Sequence, residues 1–136
     1  MKISTKGRYA LTIMSYLAKH YDEDRYISLR EISDNSNISY KYLEKIIVSL
    51  NKLIDIRRGN NGGYKLKTTP DKYIVGDILR ASEGDLAPVS CVNSFCPRKK
   101  ECGSFNFWDG LYQEINKYID SKTLEDFIKE DLKWVY

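Results

Sequence analysis

Histidine is almost missing from this chain: His20 is the one example in 136 residues. That argues against a His-rich metal site and against a conventional histidine-dependent hydrolase. Cysteine is scarce too. The three cysteines are an odd number and all fall within positions 91–102, which does not suit a secreted disulfide scaffold. No apolar run approaches the roughly 20 residues of a membrane helix. The stretch Met1 to Tyr16 is amphipathic and carries no signal-peptide block. A cytoplasmic protein with no membrane contact is the expectation. Repeats and low-complexity stretches are absent. No phosphate loop, nucleophile–base pair or catalytic histidine constellation is visible, so an enzyme has little support.

What remains is a chain that can fold. It is 42% apolar and 30% charged, enough for one domain, or one domain with an extension. The net charge of +3 is unevenly spread. Residues 39–69 hold 7 Lys+Arg and 2 Asp+Glu, net +5, while residues 70–136 hold 9 and 12, net −3. A basic block in a mildly acidic frame points to a polyanion partner. The bland alternative is a solvated patch.

Apolar periodicity locates the elements. Tyr9, Ala10, Ile13, Met14, Leu17 and Ala18 fill one helical face. Ser28 and Glu31 form a Ser-x-x-Glu capping box before a short helix holding Leu29 and Ile32. Asn35-Ser36-Asn37 ends that helix. Ser39 is a second N-cap candidate. Leu43, Ile46, Ile47, Leu50 and Leu53 then mark a strongly amphipathic helix, with Tyr40, Lys41, Glu44, Lys45, Ser49 and Lys52 on its other face. Ile54 and Ile56, then Tyr64 and Leu66, alternate as strands on either side of Arg58-Gly59-Asn60-Asn61-Gly62-Gly63, a hairpin turn. Helix, turn, helix, hairpin is the outline of a winged helix-turn-helix. Its second helix would enter the DNA major groove, and its wing would reach the backbone or minor groove. The basic block coincides with those two elements. Leu43, Ile46, Ile47 and Leu50 are core residues; the DNA-facing claim concerns the opposite face.

Ile74, Val75, Ile78 and Leu79 predict a helix ending near Gly84. Residues 84–104 lack apolar periodicity and hold two of the three prolines and every cysteine, so they read as a loop. A long helix follows, with an apolar stripe of Phe107, Trp108, Leu111, Tyr112, Ile115, Tyr118 and Ile119. Thr123-Leu124-Glu125-Asp126 starts a last capped helix. The stripe packs on its own domain or on a second subunit; the dimeric habit of helix-turn-helix proteins favours the second. Trp108, Leu111, Tyr112 and Ile115 are its expected interface residues. The fold class expected is mainly α with a small β-hairpin wing, a winged helix-turn-helix plus a long C-terminal dimerisation helix.

Cys91, Cys96 and Cys102 have the spacing Cys-x4-Cys-x5-Cys. Thiolates this close on a loop can converge on one metal centre, and without a secretion signal they read as metal or redox chemistry. Arg98, Lys99 and Lys100 would lower the thiol pKa values and offset the charge of an iron–sulfur cluster. The spacing fits no common zinc pattern. Three unliganded loop thiols are the alternative.

Several segments resemble the IscR/NsrR/CymR family of bacterial winged-helix transcriptional regulators, and its cysteine-containing IscR-like members most of all. The opening Met1-Lys2-Ile3-Ser4-Thr5-Lys6-Gly7-Arg8-Tyr9-Ala10 is similar to that family's. So are Ser39-Tyr40-Lys41-Tyr42-Leu43-Glu44-Lys45 at the recognition helix, Arg58 to Tyr64 at the wing, the cysteine loop with Phe107-Trp108, and Thr123 to Asp126. The resemblance covers essentially the whole chain. It implies a homodimer on partly palindromic, double-stranded operator DNA, with Ser39, Tyr40, Tyr42, Glu44, Lys45, Arg58 and Gly59 at the DNA. It also implies an iron–sulfur cluster on Cys91, Cys96 and Cys102, [2Fe–2S] in preference to [4Fe–4S]. Two departures stand out. IscR-like members place a histidine three residues after the last cysteine, where this chain has Phe105. NsrR-like members use a first-helix aspartate of the partner subunit, where this chain has Arg8. The fourth ligand is therefore open, with Glu101, Asn106 and Asp109 as chemically suited neighbours. CymR-like members lack the triad. The expected division is a DNA-binding domain over 1–83, a cluster loop over 84–104, and dimerisation and C-terminal helices over 105–136. The alternative function is a redox or cysteine-metabolism repressor that uses its thiols directly or holds zinc.

Overall fold

The computed structural model describes residues 2–133, with side chains through Lys129. Met1 of the family-like opening and the last three positions of the 105–136 segment lie outside the described residues. Helix α1 (Thr5–Lys19) is central. Its face of Ala10, Ile13, Met14, Leu17 and Ala18 is buried, and α3, α4 and α6 pack around it. Ser4 caps it by accepting from the Lys6 N–H.

The expected helix–turn–helix is present. Helix α2 (Leu29–Ser36) ends at Asn37, whose φ of 58° turns the chain. Helix α3 (Tyr40–Ile47) tightens into a 3-10 turn over Val48–Leu50 instead of running on to Leu53. Leu43, Ile46, Ile47 and Leu50 enter the core beside Ile32. The capping box at α2 is half made. The Ser28 hydroxyl accepts from the Glu31 N–H at 3.1 Å, but the Glu31 carboxylate turns away to Arg25 and Tyr16. A guanidinium offers it a stronger, charge-assisted partner than a backbone amide. Ser39 holds the N-cap position of α3 without a capping hydrogen bond from its side chain.

Strands β1 (Ile54–Arg57) and β2 (Gly63–Leu66) pair antiparallel, Ile54 with Leu66 and Arg57 with Gly63. The wing loop is therefore residues 58–62, with positive φ at Gly59 and Asn61. Gly63 is required. A Cβ there would sit 2.4 Å from the Ile27 carbonyl, where Ile27 and Tyr64 exchange backbone hydrogen bonds of 2.8 Å.

Helix α4 (Val75–Glu83) stops at Gly84, φ 80°. Residues 84–104 form a loop with two single 3-10 turns, Ser90–Val92 and Lys99–Glu101. The long helix α5 (Phe105–Asp120) and then α6 (Leu124–Lys133) follow. The box that starts α6 is complete: Thr123 Oγ1 accepts from the Asp126 N–H, and Asp126 Oδ2 accepts from the Thr123 N–H. Helix α6 returns to the main core, where Leu124 is fully buried and Ile128 packs. The 105–136 segment is thus divided between α5 on the outside and α6 within the first 83 residues' core. Among the described residues, no helix is long and apolar enough to cross a membrane.

Candidate nucleic-acid interface and cysteine loop

Burying Leu43, Ile46, Ile47 and Leu50 turns the opposite side of α3 outward. Lys41, Glu44, Lys45 and Val48 are exposed there, and Ser39 is exposed at its start. Tyr40 and Tyr42 are half-buried and pack on the core. The Tyr40 ring lies under the Arg30 guanidinium, 4.6 Å from the ring centroid. The Tyr42 ring meets Tyr9 edge-on at 5.3 Å. Both tyrosines brace α3 more than they project from it. Lys41 lies on the side of α3 expected to face DNA and is exposed beside Glu44 and Lys45; Val48, which the sequence pattern did not single out, is exposed on the same side.

The wing presents Arg58, Gly59, Asn60 and Asn61 at its exposed tip. On its outer face, Lys65 and Arg57 both approach the Tyr26 ring, at 4.9 and 5.8 Å. The Tyr26 hydroxyl donates to Asp55 at 2.7 Å. That bond to a carboxylate, ahead of burial, pushes the Tyr26 hydroxyl above its usual pKa. The arrangement is a rigid, cation-bearing hairpin beside a helix with two exposed lysines, which suits a duplex phosphate backbone.

Cys91 and Cys96 are half-buried and Cys102 is exposed; all three are free thiols. Among the described residues, no group of three His, Cys, Asp or Glu side chains is gathered to hold a metal ion. The donors therefore suit an iron–sulfur cluster in kind, three thiols on one open loop, but the loop must close to bring them together. Phe105, at the position where the resemblance to IscR-like members would place a histidine, has Lys99 Nζ 4.6 Å from its ring centroid. Cys102 Sγ lies 3.5 Å from the Ser104 hydroxyl. That hydrogen bond, with nearby backbone donors and the Arg98 charge behind it, holds the thiol below its ordinary pKa.

The N-terminal end of the loop is tied down twice. Immediately before it, the Glu83 carboxylate accepts from the Ser4 and Gly7 N–H groups at 2.9 and 2.8 Å, and from the Ser4 hydroxyl. Burial opposes its ionisation, but these donors hold its carboxyl below the usual range. At the loop's start, Asp85 accepts from the Ala87 N–H and from the Tyr112 hydroxyl of α5, at 2.8 and 2.9 Å. The loop thus connects the cap of α1 to α5.

Helix α5 has two different faces. Ile115 and Ile119 pack on Val75, Leu79 and Leu86 of the same chain. Arg80 locks this contact with paired bonds to Asp120 at 2.8 and 2.9 Å and one to Asn116 at 2.9 Å. The other face leaves Phe107 66%, Leu111 37% and Tyr118 64% exposed. The four residues expected at the dimer seam are split accordingly. Leu111 lies on the open face, Trp108 is half-buried against Phe107, Tyr112 is bonded to Asp85, and Ile115 faces its own subunit. α4 buries that side of α5, and a uniform helical stripe cannot show which half a neighbouring helix takes.

Comparison with known proteins bears on the whole chain. The family model Rrf2, described as an iron-dependent transcriptional regulator, matches residues 3–130. The HTH-type transcriptional regulator CymR of Bacillus subtilis is 41% identical over 128 residues, 93% of this chain and 88% of CymR. A solved structure of B. subtilis CymR, called the global cysteine regulator, superposes with a TM-score of 0.78 at 39% identity, covering 96% of this chain and 98% of that one. The structure of T. potens IscR does so at 0.76 and 33% identity, covering 100% and 93%. These relatives are regulators, not enzymes.

Proposed function

The chain belongs to the Rrf2 family of transcriptional regulators, and from that premise we infer that it is a homodimeric, cytoplasmic regulator whose operator affinity is set at its three-cysteine loop. In this division of labour, residues 1–83 bind DNA, 84–104 sense, and the outer face of α5 within 105–136 dimerises. Glu44 and Lys45, from the exposed side of α3, address base edges. Ser39 and the half-buried Tyr40 and Tyr42 set the helix against the backbone. Arg58 and Gly59 bring the wing to the backbone or minor groove.

One observation carries the sensing role: the loop holding three free thiols joins Glu83, which caps α1, to α5, which carries the open apolar face. A change of loop shape is therefore positioned to alter both α1, against which the DNA-reading helix α3 packs, and the spacing of two subunits. Cys91, Cys96 and Cys102 would hold the iron–sulfur cluster, in preference [2Fe–2S]. When bound, such a cluster supplies a tie between three points of the loop that oxidants or nitric oxide can break. Arg98, Lys99 and Lys100 offset thiolate charge. With phenylalanine at position 105, the fourth position falls to a carboxylate, solvent or the partner subunit.

A second reading has its own support. The thiols are not gathered, Cys102 is exposed with a lowered pKa, and CymR is among the similar proteins. In it the thiols respond directly, without a cluster. Anaerobic purification decides between the two. Brown protein with bound iron and sulfide, lost in each single Cys→Ala variant while fold and dimer persist, is the expected result. Full iron content in any one variant removes that cysteine from the site. Colourless, metal-free protein whose DNA affinity changes with oxidant overturns the cluster in favour of the thiols.

A further inference from the structure

Val48 is out of place on the polar side of α3. It is 64% exposed, while Leu43, Ile46, Ile47 and Leu50 around it are buried. Packing on its own core therefore does not explain it. Its backbone is still helical, with φ −58° and ψ −37°, so Lys41, Glu44, Lys45 and Val48 lie on one stripe at i, i+3, i+4 and i+7. All four are exposed. This is the spacing with which a homeodomain's recognition helix touches the major groove. Three of the four side chains are charged, suited to phosphates and to the hydrogen-bonding edges of bases. The fourth is aliphatic, and the aliphatic group that base pairs display in the major groove is the thymine 5-methyl.

We propose that Val48 packs against the 5-methyl group of an operator thymine and is a specificity-determining residue. This rests on α3 being the DNA-reading helix. A β-branched side chain suits the task because its χ1 is nearly fixed on a helix, so little freedom is lost on contact. Four residues of helix rise about 6 Å, close to two base-pair steps. The thymine therefore lies within about two base pairs of the pair addressed by Glu44.

The test uses the intact protein and a duplex it selects from randomised DNA, with each thymine replaced singly by deoxyuridine. Burial of one methyl group corresponds to about a fourfold change in affinity. At one thymine per half-site, uridine should weaken wild-type binding by about that factor at fixed salt. Val48→Ala should bind both duplexes equally, and Val48→Ile should keep the preference. Val48 is exposed, so Val48→Ala should also melt as wild type does. Equal binding of thymine and uridine duplexes by the wild type overturns the inference, as does full discrimination retained by Val48→Ala. Failure to select any sequence overturns the DNA reading and this inference together; intact selection without methyl discrimination overturns this inference alone.

Discussion

Replacing Glu31 with alanine should destabilise the fold in a pH-dependent way. Glu31 lies in the first turn of α2, and its carboxylate joins three segments. Arg25 donates to it through two nitrogens at 2.8 and 2.9 Å, and the Tyr16 hydroxyl of α1 donates at 2.8 Å. The Arg25 pair, with Tyr16 behind it, lowers the Glu31 carboxyl from 4.5 to about 2. The Arg25 side chain is 40% exposed and that of Glu31 28%, so solvent screens the pair and it contributes no more than about 1 kcal/mol. Stranding the half-buried Tyr16 hydroxyl costs about 1 kcal/mol more. Losing a negative charge near the helix start and gaining alanine's helix propensity nearly offset each other. The net loss is about 2 kcal/mol, a fall in melting temperature of about 6–10 °C for a chain of this size.

The direction with pH follows from the depressed pKa. An acid with a lowered folded-state pKa stabilises fully above its unfolded value of 4.5, and that contribution is lost as pH falls toward about 2. Other native carboxylates also protonate there, so the difference between wild type and variant is the quantity to follow. Thermal unfolding by circular dichroism should show the full gap near neutral pH and less than about half of it near pH 3. Tyr16 predicts the alkaline limb. Burial first, and then Glu31, push its hydroxyl up to about 12, so the stabilisation it provides is present below pH 10 and lost as pH rises toward 12. A variant melting within about 1 °C of wild type near pH 7, or a gap unchanged between pH 7 and pH 3, would refute the reasoning.

Three further predictions concern the DNA and the dimer. Arg58→Ala should weaken binding to all sequences and reduce the salt slope by about one unit. Glu44→Ala should relax discrimination at one base pair by about 1–3 kcal/mol, and equal losses on operator and random DNA, measured by anisotropy, would remove Glu44 from base readout. Leu111→Asp combined with Tyr118→Asp should give folded monomer, because burying unpaired charge costs about 3–5 kcal/mol at an interface while Ile115 and Ile119 keep α5 on its own subunit. An unchanged dimer mass in sedimentation would count against the outer face of α5 as the seam.

Much of this protein can be read from local pattern alone. Period and turn chemistry mark α1, α2, α3, the hairpin and α4 because each side chain's inward or outward placement repeats along one element. Leu43, Ile46, Ile47 and Leu50 therefore identify the core side of α3, and with it the charged side. The cysteine spacing is likewise a property of the sequence, as is the absence of a histidine beside it. Relations between elements needed the tertiary structure. The Glu31 carboxylate leaves its capping box because Arg25 and Tyr16 converge on it from outside α2. Ile115 turns inward because α4 occupies that side of α5, and α6 rejoins the core because Leu124 fills a place beside α1. Val48 became informative only when its exposure was known, since a valine after Ile46 and Ile47 reads as more core. In each case what decides is the packing of one element against its neighbours, which leaves no periodic mark in the sequence.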